Sequence, residues 1–358
     1  MPPRQSSSRS LVHRLRGSLE AARRHTRLNS RASASGSSPN VSVHLKKSAT
    51  TATSRTRSSK GSSKPLDFTV TILPAPISDV EMGDATASTS APRKTQVQMP
   101  RELPRPAFEE IDYERLTEID DSLKDVPITF LRQHLHVMGQ DFLQSLGSTT
   151  IPQSKTLSKE IDIMINDMTS IAPSHVLAVT GPKRPGAKST KVSLYAVHSV
   201  VFAAQCSRMP KFPPMLPLPP HQAGSQTVRV PVFPISVPHA TSFPQLLKFL
   251  YCKRPTSLIR EMIPLAPPPG LFEDQDPSQV IHYATELAKT FTDAKLVQVA
   301  GEVHGLWRNL CGFCVDDELL WNTLDLMWRI CLTALAISTG KPEVMISPPS
   351  TQSSSTSS

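Results

Sequence analysis

The first hundred residues carry too few large apolar side chains to build a hydrophobic core, and this limits where the chain can fold. Residues 1–104 contain no Trp or Tyr and a single Phe, Phe68, among many Ser, Thr, Arg and Pro residues. Such a segment cannot bury enough apolar surface to offset the entropy lost on ordering. We therefore predict a disordered, basic Ser/Arg/Pro-rich tail over residues 1–105 and a second disordered tail over residues 339–358.

One stretch of this tail differs from the rest. Residues 64–77, KPLDFTVTILPAPI, have some strand character between Ser-rich tracts. We interpret them as a candidate docking peptide.

Positive charge is concentrated in the same tail. Residues 1–64 hold 14 Lys or Arg and one acid, whereas the remainder holds 25 basic and 29 acidic residues. The formal net charge of +9 therefore describes the tail, and the body is mildly acidic. No aromatic residue precedes Lys64 in the tail, so base stacking is not available and we expect at most nonspecific contact with nucleic acid.

Short basic clusters in the tail bear on where the protein acts. They comprise Arg23, Arg24, Lys46 and Lys47. Clusters of this kind favour nuclear import. An Arg-rich, acid-poor N-terminus is also typical of a mitochondrial presequence, so mitochondrial and cytoplasmic locations remain the alternatives.

Apolar periodicity begins near residue 106. The stretches AFEEIDYERLTEIDDSLKDV and ITFLRQHLHVMGQDFLQSL place apolar residues on one helical face, so we predict a helical segment over residues 106–170. The stretch SKEIDIMINDM within this segment is compatible with either a helix or a strand. Ser158 could cap a helix, but the alternation of Ile161, Ile163 and Ile165 is typical of a strand.

Residues 171–338 alternate between strand and helix patterns, which predicts an α+β domain with Pro-rich insertions. HVLAVTG and KVSLYAVHS read as strands, and the second runs into a helix at Val200. TVRVPVFPISVP contains three prolines that cannot donate to a sheet, so we predict an edge or short strand. TSFPQLLKFLYCKRP places Phe243, Leu246, Leu247 and Leu250 on one helix face, and helices follow over 278–337.

A glycine loop in this domain partly matches a nucleotide site. Gly181, Gly186, Lys188 and Ser189 resemble a phosphate-binding P-loop. Ala187 adds a residue before the lysine, and a strand pattern follows where a P-loop needs a helix. We interpret the loop as a solvated hairpin connection.

Cysteine and histidine spacing gives only half of a metal site. Cys311 and Cys314 form one CxxC pair near His304, but a structural zinc site usually needs a second pair. GxSxG and HExxH patterns are absent from the sequence. No stretch reaches the ~18 apolar residues of a membrane span. We expect a protein that is not an enzyme and that uses no cofactor, metal or membrane anchor.

The order of elements from YAVHSVVFAAQCSRMPKF through VRVPVF to ATSFPQLLKFLYCKR resembles the BTB/POZ fold. The resemblance implies structural roles for six residues: His198, Phe202, Phe243, Leu247, Leu250 and Tyr251. It implies that His198 ends a strand and packs at a strand–helix turn, where it has no partner placed to activate it for catalysis. It also implies protein interaction, with a homodimer or heterodimer among the expected forms.

Together with the Ser/Arg tail, the segment VPVFPISVPHATSFPQLLKFLY is similar to the clampless-type developmental proteins of basidiomycete fungi. This resemblance implies a non-enzymatic, nuclear, protein-interaction regulator of sexual development, including clamp-cell formation and dikaryon growth. Mating-type homeodomain transcription factors are its expected partners. The alternative is a BTB-type substrate adaptor of a cullin ubiquitin ligase.

Overall fold

A computed structural model describes residues 64–72, 93–153, 156–166, 171–183, 191–215 and 227–346. These residues all belong to one unit of the chain, Lys64–Ser358. The fold class is α+β, as predicted. Residues 1–63 and 347–358 lie outside the described residues, and with them lie the basic clusters at Arg23, Arg24, Lys46 and Lys47.

A five-stranded sheet forms one layer of the fold. Its strands lie in the order β3-β4-β7-β5-β6, and neighbours are antiparallel except for the parallel pair β5 and β7. The strands are β3 (Thr149–Thr150), β4 (Glu160–Ile165), β5 (His175–Thr180), β6 (Val192–Val197) and β7 (Thr227–Ser236).

Strand β4 resolves the ambiguous isoleucine pattern and corrects the helical prediction over residues 106–170. Ile163 and Ile165 point into an apolar cluster with Val176 and Val230 from neighbouring strands, whereas Met164 between them is exposed. Alternate side chains of a strand face opposite sides of a sheet, so a pattern of period two buries only every second residue. The helical segment therefore ends at Gly147, and the chain then joins the sheet.

Strand β7 corrects the prediction of an edge or short strand. It runs for ten residues through the interior of the sheet. Its pairing is staggered, because residues 227–231 pair with β4 and residues 232–236 pair with β5. Each half of the strand therefore has a free side, although the strand as a whole lies between two others.

The stagger explains how an interior strand accommodates proline. The amide of Val232 donates to the Lys159 carbonyl on the β4 side, 2.8 Å away. Because successive amides point to opposite sides of a strand, the missing amide of Pro231 faces β5 and that of Pro234 faces β4. The pairing with β5 starts only after Pro231, and the pairing with β4 ends before Pro234. Neither proline leaves a ladder acceptor without its donor.

Apart from a two-stranded hairpin, the rest of the regular structure in the described residues is helical. Asp276, Thr292 and Asp317 cap the last three long helices through side chains that accept backbone amides. None of the helices in the described part of the chain is long and apolar enough to cross a membrane. The helices are α1 (Tyr113–Ile119), α2 (Ile128–Val137), α3 (Gly139–Gly147), α4 (Ser199–Ala203), α5 (Phe243–Cys252), α6 (Pro255–Met262), α7 (Pro277–Thr290), α8 (Asp293–Phe313) and α9 (Glu318–Ser338).

Helix α5 packs against five other helices. It contacts α2, α3, α4, α6 and α8. Phe243, Leu246, Leu247 and Leu250 are buried, in accordance with the helical spacing of the sequence. The helix ends at Lys253, which adopts the left-handed conformation with φ 50°.

A two-stranded hairpin corrects the boundary of the predicted tail. Strands β1 (Leu66–Ile72) and β2 (Arg93–Met99) pair antiparallel, and β1 packs on α8. Phe68 and Val70 are buried, and the amide of Thr71 donates to the Asp293 carboxylate. The tail is too poor in apolar residues to form a core, but α8 supplies the apolar surface that this hairpin needs.

The close approach of α3 to α5 gives a test of the packing. A Cβ atom at Gly139 would lie 2.0 Å from the backbone oxygen of Tyr251, whereas a Cβ at Gly301 of α8 would have nothing within 4 Å. We expect Gly139→Ala to lower the free energy of unfolding by about 1–3 kcal/mol, the usual cost of overpacking. The matched Gly301→Ala should raise it by about 0.5–1 kcal/mol, because alanine favours a helix interior. Equal melting temperatures of the two variants would contradict this packing.

Candidate interaction site on the C-terminal helices

His198 lies at the strand–helix turn between β6 and α4, and its side chain is 2% exposed. Its backbone amide donates to the Tyr251 hydroxyl over 2.9 Å, and its Nε2 lies 3.0 Å from the Ile171 carbonyl. A carbonyl only accepts, so Nε2 carries the proton and Nδ1 is left to accept from the Tyr251 hydroxyl at 3.3 Å. The Phe142 ring packs on the imidazole with centroids 4.5 Å apart.

The environment of His198 suits a structural residue. Burial lowers its pKa to about 4, against a smaller opposite effect of the hydrogen bond to Ile171. The imidazole is therefore neutral near pH 7, and both of its nitrogens are engaged by groups of the protein itself. Burial also raises the pKa of its partner Tyr251. The arrangement fixes the turn and leaves no free nitrogen for chemistry.

The other five residues to which the BTB/POZ resemblance gives a structural role lie in α4 and α5. Phe202, Phe243, Leu247, Leu250 and Tyr251 are all buried. Tyr251 lies next to His198, and Phe243 instead contacts Tyr195 and Phe313. The structure brings together core residues here and forms no ligand site from them.

Neutral burial of His198 predicts a pH dependence of stability. The unfolded chain takes up a proton near the ordinary pKa of about 6.5, whereas the folded chain does so only near pH 4, so the unfolded state gains stability between these values. We expect this group alone to lower the free energy of unfolding by about 1.4 kcal/mol per pH unit as the pH falls from 6.5 towards 4. Chemical denaturation at several pH values measures the slope.

Two variants separate this effect from simple destabilisation. His198→Gln retains an amide donor for the Ile171 carbonyl but cannot titrate, so its profile should be flatter than that of the wild type. Phe142→Leu removes the ring that packs on the imidazole and keeps the histidine, so its stability profile should be lower but parallel. A His198→Gln profile parallel to the wild type would contradict the account.

Gly186, Lys188 and Ser189 of the glycine loop lie outside the described residues. β6 follows the loop as an antiparallel partner of β5, where a P-loop would need a helix. Cys314 is buried, and Cys311 is half-buried with a pKa that burial raises to about 11. Among the described side chains, no group of three or more His, Cys, Asp or Glu could hold a metal ion.

A different set of residues on α8 and α9 holds an extended segment of the same chain. Residues 100–107, PRELPRPA, which we call the strap, connect the hairpin to the segment before α1 and lie along these two helices. The strap contains no helix or strand. Met99, the last residue of β2, and Leu103 of the strap are buried, whereas Pro100 and Pro104 are exposed. Leu103 is therefore its apolar anchor.

Two tryptophans hold the backbone of the strap. The Trp328 indole Nε1 of α9 donates to the Pro100 carbonyl over 3.1 Å, and the Trp307 Nε1 of α8 donates to the Pro104 carbonyl over 2.9 Å. The His304 ring lies beside both indoles, 4.9 Å from Trp307 and 6.1 Å from Trp328 between centroids. Donors on two helices thus bind carbonyls four residues apart.

A carboxylate and amide cluster on α9 binds Arg105 of the strap. The guanidinium donates to Glu318 at 2.9 Å, to Asn322 at 2.9 Å and to Asp325 at 2.6 Å. These acceptors lie at positions i, i+4 and i+7 of α9 and therefore share one helix face. The guanidinium also lies 5.7 Å from the Trp321 ring centroid. We call the set Trp307, Trp328, Glu318, Asn322 and Asp325 the receptor face.

The receptor face was not predicted from the sequence. The tryptophans could be placed on helix faces, but their polar partners lie more than 200 residues away in the chain. The available signal was local: PRELPR places Leu103 and Arg105 before prolines, which restricts both to extended backbone. Extended segments of this kind are typical ligands of aromatic surfaces. The residues 64–77 interpreted as a docking peptide contain β1, which does dock on α8.

Loss of one tryptophan donor should loosen the strap before the rest of the fold. Trp328→Phe keeps the aromatic ring and removes the donor to the Pro100 carbonyl, so we expect trypsin to cleave the folded chain faster after Arg101 of the strap. Limited proteolysis under native conditions, followed by mass spectrometry, measures the cleavage rate at this bond. Arg229→Gln is the control, because it breaks an exposed ion pair with Asp162 on the sheet. Equal cleavage rates after Arg101 in both variants would show that the indole does not hold the strap.

Comparison with known protein families finds two matches along the chain. The model of the Clampless protein 1 N-terminal domain matches residues 106–238, and that of the Clampless protein 1 C-terminal domain matches residues 256–358. Together they span well over half of the chain. The hairpin and most of the strap precede the first matched residue, whereas the receptor face lies inside the second domain. No curated protein and no solved structure matches the chain.

Proposed function

The chain belongs to the Clampless protein 1 family, and we propose that it is a non-enzymatic regulator that acts by binding other proteins. Its family gives it a role in fungal clamp development. We further propose that it works in the nucleus during sexual development and dikaryon growth, in contact with mating-type homeodomain transcription factors.

One observation carries the proposal of protein binding. The receptor face holds an extended segment by hydrogen bonds to backbone carbonyls and by one arginine, with a single buried leucine as anchor. This is how proteins recognise extended peptides, where backbone contacts give affinity and a few side chains give specificity. The surface is suited to binding a polypeptide.

The BTB/POZ-like arrangement of residues 171–338 is part of the proposal. In support, strand β6 ends directly before His198, the short helix α4 follows, and strand β7 precedes helix α5. This is the order of elements on which the resemblance was based. A homodimer or heterodimer through this region is a further expectation of the resemblance.

Recombinant homeodomain partners test the proposed function. The purified full chain is immobilised and incubated with the homeodomain proteins. The double variant Trp307→Phe with Asp325→Asn and the control Arg229→Gln are treated in the same way. We expect retention by the wild type and the control and loss in the double variant, provided that all three melt alike. Equal failure of all three would contradict the proposed partners. Recovery of a cullin from native cells instead would favour the ubiquitin-ligase adaptor.

Nuclear location is tested through the basic clusters of the tail. A fluorescent fusion carries alanine at four positions: Arg23, Arg24, Lys46 and Lys47. We expect its nuclear signal to fall, because import receptors recognise such clusters. The control carries alanine at four other basic positions of the tail: Arg4, Arg9, Arg55 and Arg57. An equal fall in both fusions would show that total charge matters rather than these clusters, and a mitochondrial signal of the intact fusion would refute the nuclear assignment.

A further inference from the structure

The chemistry of the receptor face is more specific than peptide binding in general. Both indoles are donors, and they face carbonyls of the strap. Glu318, Asn322 and Asp325 offer acceptors, which the guanidinium of Arg105 fills. In the described residues, the strap backbone accepts from the two indoles and from the Cys314 thiol that follows α8, and each of these hydrogen bonds uses a strap carbonyl. Such a face suits proline-containing segments, because proline has a carbonyl but no amide hydrogen that would need an acceptor.

We propose that the receptor face binds an extended proline–arginine segment of a protein partner, and that the strap is the resident segment which this partner displaces. The inference deepens the proposed function and rests on it. The partner segment is defined by its chemistry: a leucine or similar apolar anchor, a proline directly after it and an arginine directly after that proline, as in Leu103, Pro104 and Arg105. The two carboxylates select a positively charged ligand.

The contacts of the strap favour exchange. The Arg105 side chain is 28% exposed, and its partners Glu318 and Asp325 are 69% and 45% exposed. Ion pairs in contact with solvent contribute little to stability, because water screens them and solvates the separated charges. If the strap leaves, the carboxylates and the guanidinium are hydrated rather than stranded, so a segment of the same chemistry can replace it at low net cost.

Exchange of the strap does not require unfolding of the hairpin. The hairpin is held separately, by Phe68 and Val70 buried against α8 and by the bond from Thr71 to Asp293. On the other side of the strap, the residues from Ala107 to Glu110 are exposed. The strap can therefore lift from the helices while the elements at both of its ends stay in place.

Fluorescence anisotropy with a labelled peptide tests the proposal. The probe is the strap sequence itself, PRELPRPA, added to the purified full chain and to the variant Leu103→Ala with Arg105→Ala, whose resident strap is weakened. A ligand that competes with a resident segment binds with an affinity reduced by the fraction of open sites. We expect the peptide to bind the strap variant about tenfold more tightly than the wild type.

Matched controls identify the surface. Adding Trp307→Phe and Asp325→Asn to the strap variant should abolish this gain, whereas adding Arg229→Gln should leave it. A peptide carrying Arg105→Glu should not bind. Circular dichroism melts establish that each variant is folded, and the single variant Arg105→Ala replaces the double variant if the latter is unfolded.

Three outcomes would overturn the proposal: equal binding to wild type and strap variant, absence of binding to both, or a gain that survives loss of the receptor residues. A stable dimer built through the same tryptophans would also overturn it, because the occupant would then be the strap of a second copy. The assay contains no homeodomain protein, so its failure is distinguishable from failure of the proposed function.

Discussion

The burial of helix α5 is the contact on which the rest of the structure depends. Five other helices pack on it, from the N-terminal pair α2 and α3 to the long helix α8. Its C-terminal half supplies the Tyr251 hydroxyl that accepts the His198 amide, and this bond fixes the turn between the sheet and α4. At its end, Lys253 contacts Asp317, the N-cap residue of α9. One helix thus contacts the N-terminal helices, the turn after β6 and the start of α9.

That framework gives the receptor face its geometry. Trp307 and Trp328 come from different helices, so the distance between their donors depends on how α8 and α9 pack. The two helices are each 21 residues long and contact one another. Rigid elements hold binding groups at a fixed spacing more accurately than loops do. A segment with carbonyls at a matching spacing is therefore recognised by its backbone, and Arg105 adds selection by charge.

Patterns of local residues predicted part of this fold, and long-range pairing decided the rest. The period of Phe243, Leu246 and Leu250 indicated a buried helix, because burial of one helix face depends only on spacing along the chain. The prediction of an edge or short strand for β7 was wrong. It was based on the prolines, but the sides of the strand that need no amide donor depend on which strands pair with it and where that pairing begins. Likewise, residues 66–72 and 93–105 are too polar to fold alone, and they order against the surface of α8 and α9. The prolines of the strap indicate an extended segment, but nothing in the local sequence pairs Pro104 with Trp307, which lies 203 residues away.

The most direct test of the account is whether the receptor face is needed for clamp development. A fungal strain that lacks the gene is complemented with the wild type, with Trp307→Phe plus Asp325→Asn, or with Arg229→Gln, and clamp cells are counted after confirming equal protein levels. The account predicts clamps with the wild type and Arg229→Gln, and their loss with the double variant. Normal clamp formation by the double variant at equal protein level would contradict the claim that this face is the functional site.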